Sequence, residues 1–382
     1  MPPISLLLSA GEASGDMYAA RLATALQQRA DVQIFGMGGP QMRDAGVEIV
    51  ADYSKVSVVG ITEILSHLPS LIRAMRHLVG AAERHRPALA ILTDFPGFHL
   101  RLARKLKARG ILNAYYICPQ FWAWRPWRVR IVRRRFAEAL CIFPFEEKFY
   151  GDAGVPVKFI GHPLVGAVHP SVDRATFLKE QRLDPERPVV AVLPGSRSAE
   201  LNQHLPILRE ACVRIYRATQ AQFVVAAAHD SGAATLREGW SPELPVRVVE
   251  SRTYDALASS DAAIVSSGTA TVETALLDVP MVVIYRVTPL TAFLAKPLVR
   301  TPFFSMVNLI AGKRVVPELI QSDFTPERVT QEVLRLLREP TARATMRESL
   351  AEVRNRLGPP GAVERAADAI LDLVRAGRGN AK

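Results

Sequence analysis

Near its start the chain reads Ile4-Ser5-Leu6-Leu7-Leu8-Ser9-Ala10-Gly11-Glu12-Ala13-Ser14-Gly15-Asp16, an apolar run that ends in a turn of small and acidic residues. Similar short runs recur, separated by segments with helical periodicity at 17–29, 70–84 and 100–109. In the first half these runs are Ile4–Ser9, Val32–Gly36, Leu89–Thr93, Asn113–Ile117, Ala139–Phe143 and Val157–Ile160. Strands that alternate with helices predict a doubly wound α/β sheet with parallel strands.

The alternation pauses at Gly161–Pro170, which is rich in Gly and Pro and is typical of a linker. A second series then follows, with the runs Val189–Leu193, Phe223–Ala228, Val246–Val249, Ala262–Val265 and Met281–Tyr285. The sequence therefore predicts two Rossmann-like domains, 1–165 and 166–345, that face each other across a cleft. A helical tail, 346–382, follows them, and its last helix, Ala362–Ala376, is free to pack back on the first domain.

The composition is globular and basic, with 49% hydrophobic residues, 48 Lys+Arg, 37 Asp+Glu and a formal net charge of +11. A basic surface favours anionic partners, namely nucleic acid, phosphorylated ligands or an acidic membrane face. The three cysteines are far apart and predict reduced core residues. No apolar stretch is long enough to span a membrane, so we expect a protein that is soluble or lies on a membrane surface.

The turn after the first run holds Gly11, Glu12, Ser14 and Asp16. Its small residues allow close backbone approach to a ligand, while Ser14 and Asp16 are also suitable caps for the next helix. Two carboxylates exceed what a cap needs, which favours a cleft-facing role. The Gly-rich loop Gly36–Pro40 lacks the spacing of a dinucleotide site.

Asp94 comes directly after the run Leu89–Thr93. The loop that follows this strand is predicted to face the cleft, where a general base would be needed. An aspartate after a strand is equally typical of a turn. Glu12 and Asp16 are the rival bases.

Two turns in the second domain have the features of phosphate-binding loops. Gly195-Ser196-Arg197 and Ser267-Gly268-Thr269 each lie between a strand and a helix, where backbone N–H groups and the helix dipole favour anions. Glu273 lies one turn inside the second helix, where a carboxylate can accept both hydroxyls of a ribose. Together the two loops predict a nucleotide diphosphate site.

A third feature combines aromatic, basic and apolar residues. Trp122, Trp127 and Arg128 belong to a segment that interleaves tryptophan with arginine, which suits a membrane interface, a phosphorylated amphiphile or single-stranded nucleic acid. An apolar stripe from Ile61 to Val79 has helical spacing interrupted at Pro69, and it includes Leu68, Leu71 and Met75. Part of this stripe is expected to be core, and part to contact acyl chains or a bilayer.

Several segments, in order, resemble the lipid-A-disaccharide synthase family. They are Ser9–Asp16, Gly36–Pro40, Trp122–Arg125, Phe159–Leu164, Leu193–Arg197, Ser267–Ala270, Asn308–Gly312 and Pro317–Gln321. The match covers nearly the whole chain. It places Asn308, Glu318 and Gln321 in the cleft, together with Gly11, Glu12, Ser14 and Asp16. Some members carry a second aspartate where this chain has Gly97, which leaves Asp94 as the one carboxylate of that loop.

The resemblance implies a GT-B fold and an inverting transfer that uses no metal and no cofactor. The donor would be UDP-2,3-diacylglucosamine and the acceptor 2,3-diacylglucosamine 1-phosphate (lipid X), giving a β-1,6-linked disaccharide 1-phosphate and UDP. It also implies a cytoplasmic enzyme, peripheral on the anionic inner-membrane surface of a Gram-negative bacterium. A homo-oligomer is left open.

Two other functions fit parts of the sequence. Another enzyme on the same fold, such as a UDP-N-acetylglucosamine 2-epimerase, would share the nucleotide loops but would not need the tryptophan–arginine segment or the apolar stripe. A nucleic-acid-binding protein would fit the net charge and would bind oligonucleotides with steep salt dependence. The two nucleotide-type loops argue against the latter, so we expect no nucleic-acid partner.

Overall fold

The computed structural model describes residues 3–55, 64–227, 230–289, 291–292 and 301–379. The chain divides into two compact units. Unit 1 comprises Met1–Pro163 and Gly358–Lys382, and unit 2 comprises Leu164–Leu357. The first crossing between units thus falls inside the Gly- and Pro-rich segment that was interpreted as a linker.

Both units are built from strands and helices that alternate along the chain. The strands are β1 (Ile4–Ala10), β2 (Val32–Gly38), β3 (Glu48–Asp52), β4 (Leu89–Thr93), β5 (Asn113–Tyr116), β6 (Glu138–Cys141), β7 (Val157–Phe159), β8 (Val189–Leu193), β9 (Gln222–Ala227), β10 (Val246–Glu250), β11 (Ala262–Ser266), β12 (Met281–Tyr285) and β13 (Glu318–Ile320). The helices are α1 (Ala13–Gln27), α2 (Pro40–Asp44), α3 (Ile64–His85), α4 (Pro96–Lys107), α5 (Phe121–Trp124), α6 (Val129–Arg135), α7 (Pro144–Asp152), α8 (Arg174–Glu180), α9 (Ser198–Thr219), α10 (Asp230–Arg237), α11 (Thr253–Ala258), α12 (Thr269–Leu276), α13 (Met306–Ala311), α14 (Pro326–Arg338), α15 (Pro340–Arg356) and α16 (Ala362–Gly379).

Unit 1 contains a parallel sheet in the order β3-β2-β1-β4-β5-β6-β7. Its central strands β1 and β4 pair with Ser9 opposite Leu92, and every residue of β4 is buried. The strand order reverses between these two strands, because β2 and β5 lie on opposite sides of them. The loops that leave β1 and β4 therefore diverge and form the crevice where open α/β sheets bind ligands. These loops carry Glu12 and Asp94.

Unit 2 repeats this plan with the order β10-β9-β8-β11-β12-β13. All five residues of β8 and of β11 are buried, as expected for strands covered by helices on both faces. The order reverses between β8 and β11, whose following loops carry Arg197 and Gly268. The predicted fold class, two parallel α/β sheets, is confirmed, and in each unit the predicted loops lie at the reversal point.

The three cysteines, Cys118, Cys141 and Cys212, are buried and unpaired, as predicted. The tail that the sequence analysis set apart at 346–382 is divided between the units. Helix α15 packs on α12, α13 and α14 of unit 2, whereas α16 packs on α1 of unit 1. Arg365 of α16 donates to the carbonyl oxygen of Ile160, which ties this helix to the end of β7.

Two helices differ from their predicted form. Helix α1 begins at Ala13 rather than Met17, so the predicted caps Ser14 and Asp16 lie inside it and Glu12 occupies the cap position. The reason is a β1–α1 turn of only two residues. Helix α3 also runs through Pro69, where an interruption was predicted. Inside a helix a proline removes one backbone hydrogen bond and can kink the helix without ending it.

Candidate active site

The β4–α4 loop of unit 1 holds Asp94 in an unusual backbone conformation. Asp94 and Phe95 both have positive φ, 47° and 44°, in the left-handed region that bulky residues avoid. Two side chains fix this conformation by binding the carbonyl oxygen of Asp94. His99 Nδ1 lies 2.8 Å from that oxygen, and the Tyr115 hydroxyl donates to it at 2.9 Å. Strain of about 1–3 kcal/mol per such residue persists only where the surroundings impose it, as at functional sites.

His99 is a neutral, fully buried link between the first two loops. Because a carbonyl oxygen can only accept, Nδ1 carries the ring proton, and Nε2 accepts from the Ser9 hydroxyl at 2.8 Å. Burial lowers the pKa of His99 to about 4, which keeps the ring uncharged near neutral pH. The histidine thereby connects the end of β1 to the backbone of Asp94.

The Asp94 carboxyl group has the electrostatics of a general base. It is only partly exposed, and burial, with a smaller contribution from the charge of Glu12, raises the pKa of Asp94 to about 6. The Phe95 N–H group opposes this shift by donating to the carboxylate. A base whose pKa lies near the operating pH combines a useful unprotonated fraction with good proton affinity. Glu12 is exposed at the start of α1, beside this carboxyl.

Gly11 lets the two loops pack together. A Cβ atom at this position would lie 2.2 Å from the Phe95 ring, so any larger residue would displace Phe95 and the base next to it. Ser14 is exposed on the first turn of α1. The structure thus brings Gly11, Glu12 and Asp94 together at one crevice.

Asp16 has a structural role that the sequence did not predict. Its buried carboxylate accepts from the backbone N–H groups of Gly39, Gln41 and Met42 at 2.7, 3.0 and 3.3 Å. It therefore caps α2 from a distance and holds the Gly-rich loop Gly36–Pro40 against α1. Both of its oxygen atoms are engaged, so Asp94 and Glu12 are the better placed carboxylates.

Trp122 and Trp127, the two tryptophans predicted to contact a membrane, lie in different surroundings. Trp122 is partly buried, and its indole N–H donates to the buried carboxyl group of Glu146 at 3.1 Å. Burial raises the pKa of Glu146 to about 8. Trp127, by contrast, is 57% exposed. The membrane contact predicted for both residues is therefore available to Trp127, while Trp122 packs inward.

The apolar stripe of α3 is mainly core. Leu78 and Val79 are buried, and Leu71 and Met75 pack against the same hydrophobic core while remaining half-exposed. Ile72 is 45% exposed. The side chain of Leu68, and residue Ile61, lie outside the described residues.

In unit 2 the turn after β8 is organised by Glu200. Its carboxylate accepts from the N–H groups of Ser196 and Arg197 at 3.2 and 3.5 Å, and the Arg197 guanidinium lies 3.7 Å away. The backbone donors predicted for a diphosphate at this turn are thus occupied by Glu200. Gly195 has a positive φ of 121°, and a Cβ there would lie 2.6 Å from Glu200. The guanidinium of Arg197 is 64% exposed and remains available.

His204 supports this turn much as His99 supports Asp94. Its Nδ1 lies 2.6 Å from the carbonyl oxygen of Pro194, and its Nε2 accepts from the N–H group of Arg286 at 2.9 Å. Burial lowers the pKa of His204, which keeps the ring neutral. A buried histidine therefore positions the loop at the reversal point of each sheet.

The turn after β11 is open where a phosphate would bind. Gly268 forms the N-cap of α12 with φ of 155°, and, apart from its chain neighbours, no described residue has an atom within 4 Å of a Cβ built there. Gly268 and Thr269 are exposed, and Ser267 fixes the turn by donating to the carbonyl oxygen of Phe304 at 2.9 Å. Because Gly268 has no capping side chain, the first N–H groups of α12 face this space.

Glu273 is half-buried below the turn and accepts a hydrogen bond from the Tyr254 hydroxyl at 2.9 Å. Burial raises the pKa of Glu273, and the tyrosine bond opposes that rise. One carboxylate oxygen is held by Tyr254, which orients the second. This arrangement suits an acceptor of ribose hydroxyls.

Asn308, Glu318 and Gln321 stabilise one loop of unit 2. Glu318 accepts from the Asn308 side chain and from the backbone and hydroxyl of Ser305, all at 2.8 Å. Asn308 also accepts from the N–H groups of residues 315 and 316. The side-chain amide of Gln321 donates to the carbonyl oxygen of Val287 and accepts from its N–H group, both at 3.2 Å. These polar groups hold the segment that carries Phe304, the partner of Ser267.

Within the residues that the structure describes, no three His, Cys, Asp or Glu side chains are grouped as metal ligands would be. No helix in that part of the chain combines the length and apolar character needed to cross a membrane.

The two parallel sheets and the loops at their reversal points define the GT-B fold. A kitacinnamycin glycotransferase has a similar structure, with a TM-score of 0.68 at 18% identity over 98% of this chain and 100% of its own. The UDP-GlcNAc 2-epimerase of Neisseria meningitidis, solved with UDP-GlcNAc, has a TM-score of 0.65 at 12% identity over 97% and 100%. Since both chemistries occur on this fold, the fold alone does not decide between them.

Sequence comparison decides between the transferase and the epimerase. Residues 6–370 match the family model described as Lipid-A-disaccharide synthetase. The lipid-A-disaccharide synthase of Solibacter usitatus is 48% identical over 98% of both chains, and that of Myxococcus xanthus is 44% identical over 98% of this chain and 99% of its own. The chain belongs to the lipid-A-disaccharide synthase family of glycosyltransferases, as its motifs predicted.

Sequence reasoning missed four side chains that shape these sites, namely His99, Tyr115, Glu200 and His204. Glu200 had a usable signal, because a glutamate three residues after a helix cap is the mark of a capping box. The histidines had none, since each binds a backbone carbonyl group through Nδ1 and a partner distant in sequence through Nε2.

Proposed function

We propose that the chain transfers 2,3-diacylglucosamine from its UDP derivative to the 6-hydroxyl of 2,3-diacylglucosamine 1-phosphate. The products are a β-1,6-linked disaccharide 1-phosphate and UDP. The observation that carries the proposal is Asp94, a carboxylate with raised pKa held in a strained loop at the reversal point of unit 1. Membership of the family supplies the substrate class.

In the proposed reaction, the acceptor oxygen attacks the anomeric carbon of the donor as the bond to UDP breaks on the opposite face. Asp94 accepts the hydroxyl proton while the new bond forms. The negative charge that develops on the leaving UDP is stabilised by Arg197 and by the N-terminus of α12 at Thr269. Gly195 and Ser196 form the turn that carries Arg197, and Ser267, Gly268 and Glu273 form the rest of the donor site.

The direct test is incubation of the purified protein with both acylated substrates, followed by mass spectrometry for the disaccharide 1-phosphate. Omission of either substrate is the control. If the protein instead converts UDP-N-acetylglucosamine to its 2-epimer and forms no disaccharide, the proposed function is wrong.

The pH dependence of turnover follows from the same carboxyl group. Asp94 must be unprotonated to act, so kcat/KM is expected to fall by about tenfold per pH unit below the pKa of about 6. Glu12→Gln removes a neighbouring negative charge, which lowers the pKa of Asp94 and should move this acid limb to lower pH. If the acid limb of Glu12→Gln lies at the same pH as that of the wild type, the charge of Glu12 does not raise the pKa of the base, which would contradict this assignment.

We further propose that unit 1 binds the cytoplasmic face of an anionic inner membrane. Trp127 is exposed beside α6, where Arg130, Arg133 and Arg134 are exposed as well, and Ile72 is exposed on α3. Tryptophan favours the lipid interface, and each basic residue near an anionic surface adds about 1 kcal/mol.

Trp127→Ser is expected to weaken flotation with anionic vesicles by about tenfold, because the exposed ring area is lost from the lipid interface. The matched control is Leu112→Ser, since Leu112 is 40% exposed. Leu112 directly precedes β5 and so lies at the amino end of this strand, whereas Trp127 belongs to the segment that follows its carboxyl end. Equal flotation of the two variants would contradict a membrane contact at Trp127.

A further inference from the structure

Two arginines of unit 1 converge on one tryptophan ring. The guanidinium carbon of Arg125 lies 4.4 Å from the centre of the Trp124 ring, and that of Arg128 lies 5.8 Å from the same centre. The N–H group of Arg128 donates to the carbonyl oxygen of Arg125 at 3.0 Å, so one turn of backbone fixes their spacing. Both guanidinium groups therefore lie within cation–π distance of the same ring.

A third arginine joins them from α4. Arg101 donates to the carbonyl oxygen of Gly97, and α4 packs on α6. Burial, followed by the charges of Arg125 and Arg101, lowers the pKa of Arg128, as expected for like charges held close together. The ion pairs of unit 1 among the described residues involve other side chains. Among the described residues of unit 1, no carboxylate forms an ion pair with this cluster, which therefore carries positive charge.

We propose that Arg101, Arg125 and Arg128 bind the phosphomonoester of the acceptor, an inference that rests on the proposed function. Three guanidinium groups repel one another, and a dianionic phosphate bound among them offsets this repulsion by attracting all three. Planar guanidinium groups also match phosphate oxygens with paired hydrogen bonds. The arginines thus select an acceptor that carries a phosphate over one that does not.

The cluster is linked to the proposed base through two contacts. Arg101 is bonded to Gly97, which lies in the first turn of α4, three residues after Asp94. Arg128 acts electrostatically on Tyr115, whose hydroxyl binds the carbonyl oxygen of Asp94. In the acceptor sugar, C1 with its phosphate and C5 with its hydroxymethyl group flank the ring oxygen, so both groups lie on one edge of the ring. A phosphate held by the arginines therefore places the 6-hydroxyl toward the base.

The test compares two acceptors, 2,3-diacylglucosamine 1-phosphate and 2,3-diacylglucosamine, in detergent micelles without vesicles. The variants are Arg101→Gln, Arg125→Gln and Arg128→Gln, and the matched control is Arg104→Gln, which removes the same charge from an exposed position on α4. We expect each variant to lose about tenfold to a hundredfold in kcat/KM with the phosphorylated acceptor, mainly through KM. The rate with the unphosphorylated acceptor should be nearly unchanged, so the preference of the wild type for phosphate disappears.

Variants that keep the wild-type preference for the phosphorylated acceptor would overturn the proposal. Anionic-vesicle flotation separates the two sources of phosphate, because variants that float poorly but keep that preference would assign the arginines to lipid headgroups. Thermal unfolding of each variant checks that the fold is intact, and Arg128→Lys, which keeps the charge but not the paired geometry, should recover part of the lost kcat/KM. If the wild type forms no disaccharide from either acceptor, the proposed function fails rather than this assignment.

Discussion

Asp94→Asn is expected to lower turnover by about 100- to 10,000-fold while UDP binding stays at the wild-type level. Asparagine keeps the size of the side chain and, like aspartate, tolerates the left-handed backbone found at φ of 47°. His99 and Tyr115 bind the backbone carbonyl oxygen of residue 94 rather than its side chain, so both bonds survive the substitution. The variant therefore removes proton acceptance and little else. Its measurement is single-turnover kinetics, with calorimetry for UDP.

Substitution of the rival carboxylates, Glu12 and Asp16, distinguishes them from Asp94 as the base. Glu12→Gln should retain most of its turnover at neutral pH and change chiefly the acid limb described above. A normal rate in Asp94→Asn together with an inactive Glu12→Gln would move the base to the β1–α1 turn. Asp16→Asn is a poorer probe of chemistry, since that carboxylate caps α2 and its loss would loosen the Gly-rich loop.

Much of the fold could be predicted because buried parallel strands are continuous apolar runs. Val189–Leu193 and Met281–Tyr285 were predicted with the bounds that the structure has, since a proline directly precedes each and Pro194 directly follows the first. Strand β3 was missed. It lies at the sheet edge, and none of its residues is fully buried, so it lacks the apolar run that identified the other strands of its sheet. Strand β13, an edge strand of three residues in unit 2, was missed as well.

Side-chain roles that depend on distant backbone groups could not be predicted. Asp16 was interpreted as a cleft-facing carboxylate or a local helix cap, but its partners begin 23 residues later, at Gly39. The position of Asp94 was predictable from strand order, whereas its strained conformation depends on His99 and Tyr115. Periodicity identifies which residues are buried, and strand order identifies which loops meet. Neither identifies the carbonyl group that a buried histidine will bind.

Arg197→Ala is expected to lower kcat/KM by about 100- to 1000-fold and to weaken UDP binding measured by calorimetry on the full chain. The Arg197 guanidinium is 64% exposed, and the turn itself is held by Glu200 through backbone N–H groups that an alanine retains. The loss would therefore report on the guanidinium and not on a disordered turn.

The matched control for Arg197→Ala is Arg217→Ala, because Arg217 is 69% exposed near the other end of α9 and pairs only with Glu243 among the ion pairs of the described residues. Its UDP affinity should equal that of the wild type. Glu273→Gln tests the second loop independently: it keeps an acceptor for Tyr254 but loses the charge that attracts ribose hydroxyls, so UDP should bind more weakly while folding is preserved. Wild-type UDP affinity in both Arg197→Ala and Glu273→Gln would place the donor nucleotide elsewhere. A loss in Glu273→Gln alone would keep the nucleoside at α12 and remove Arg197 from the diphosphate.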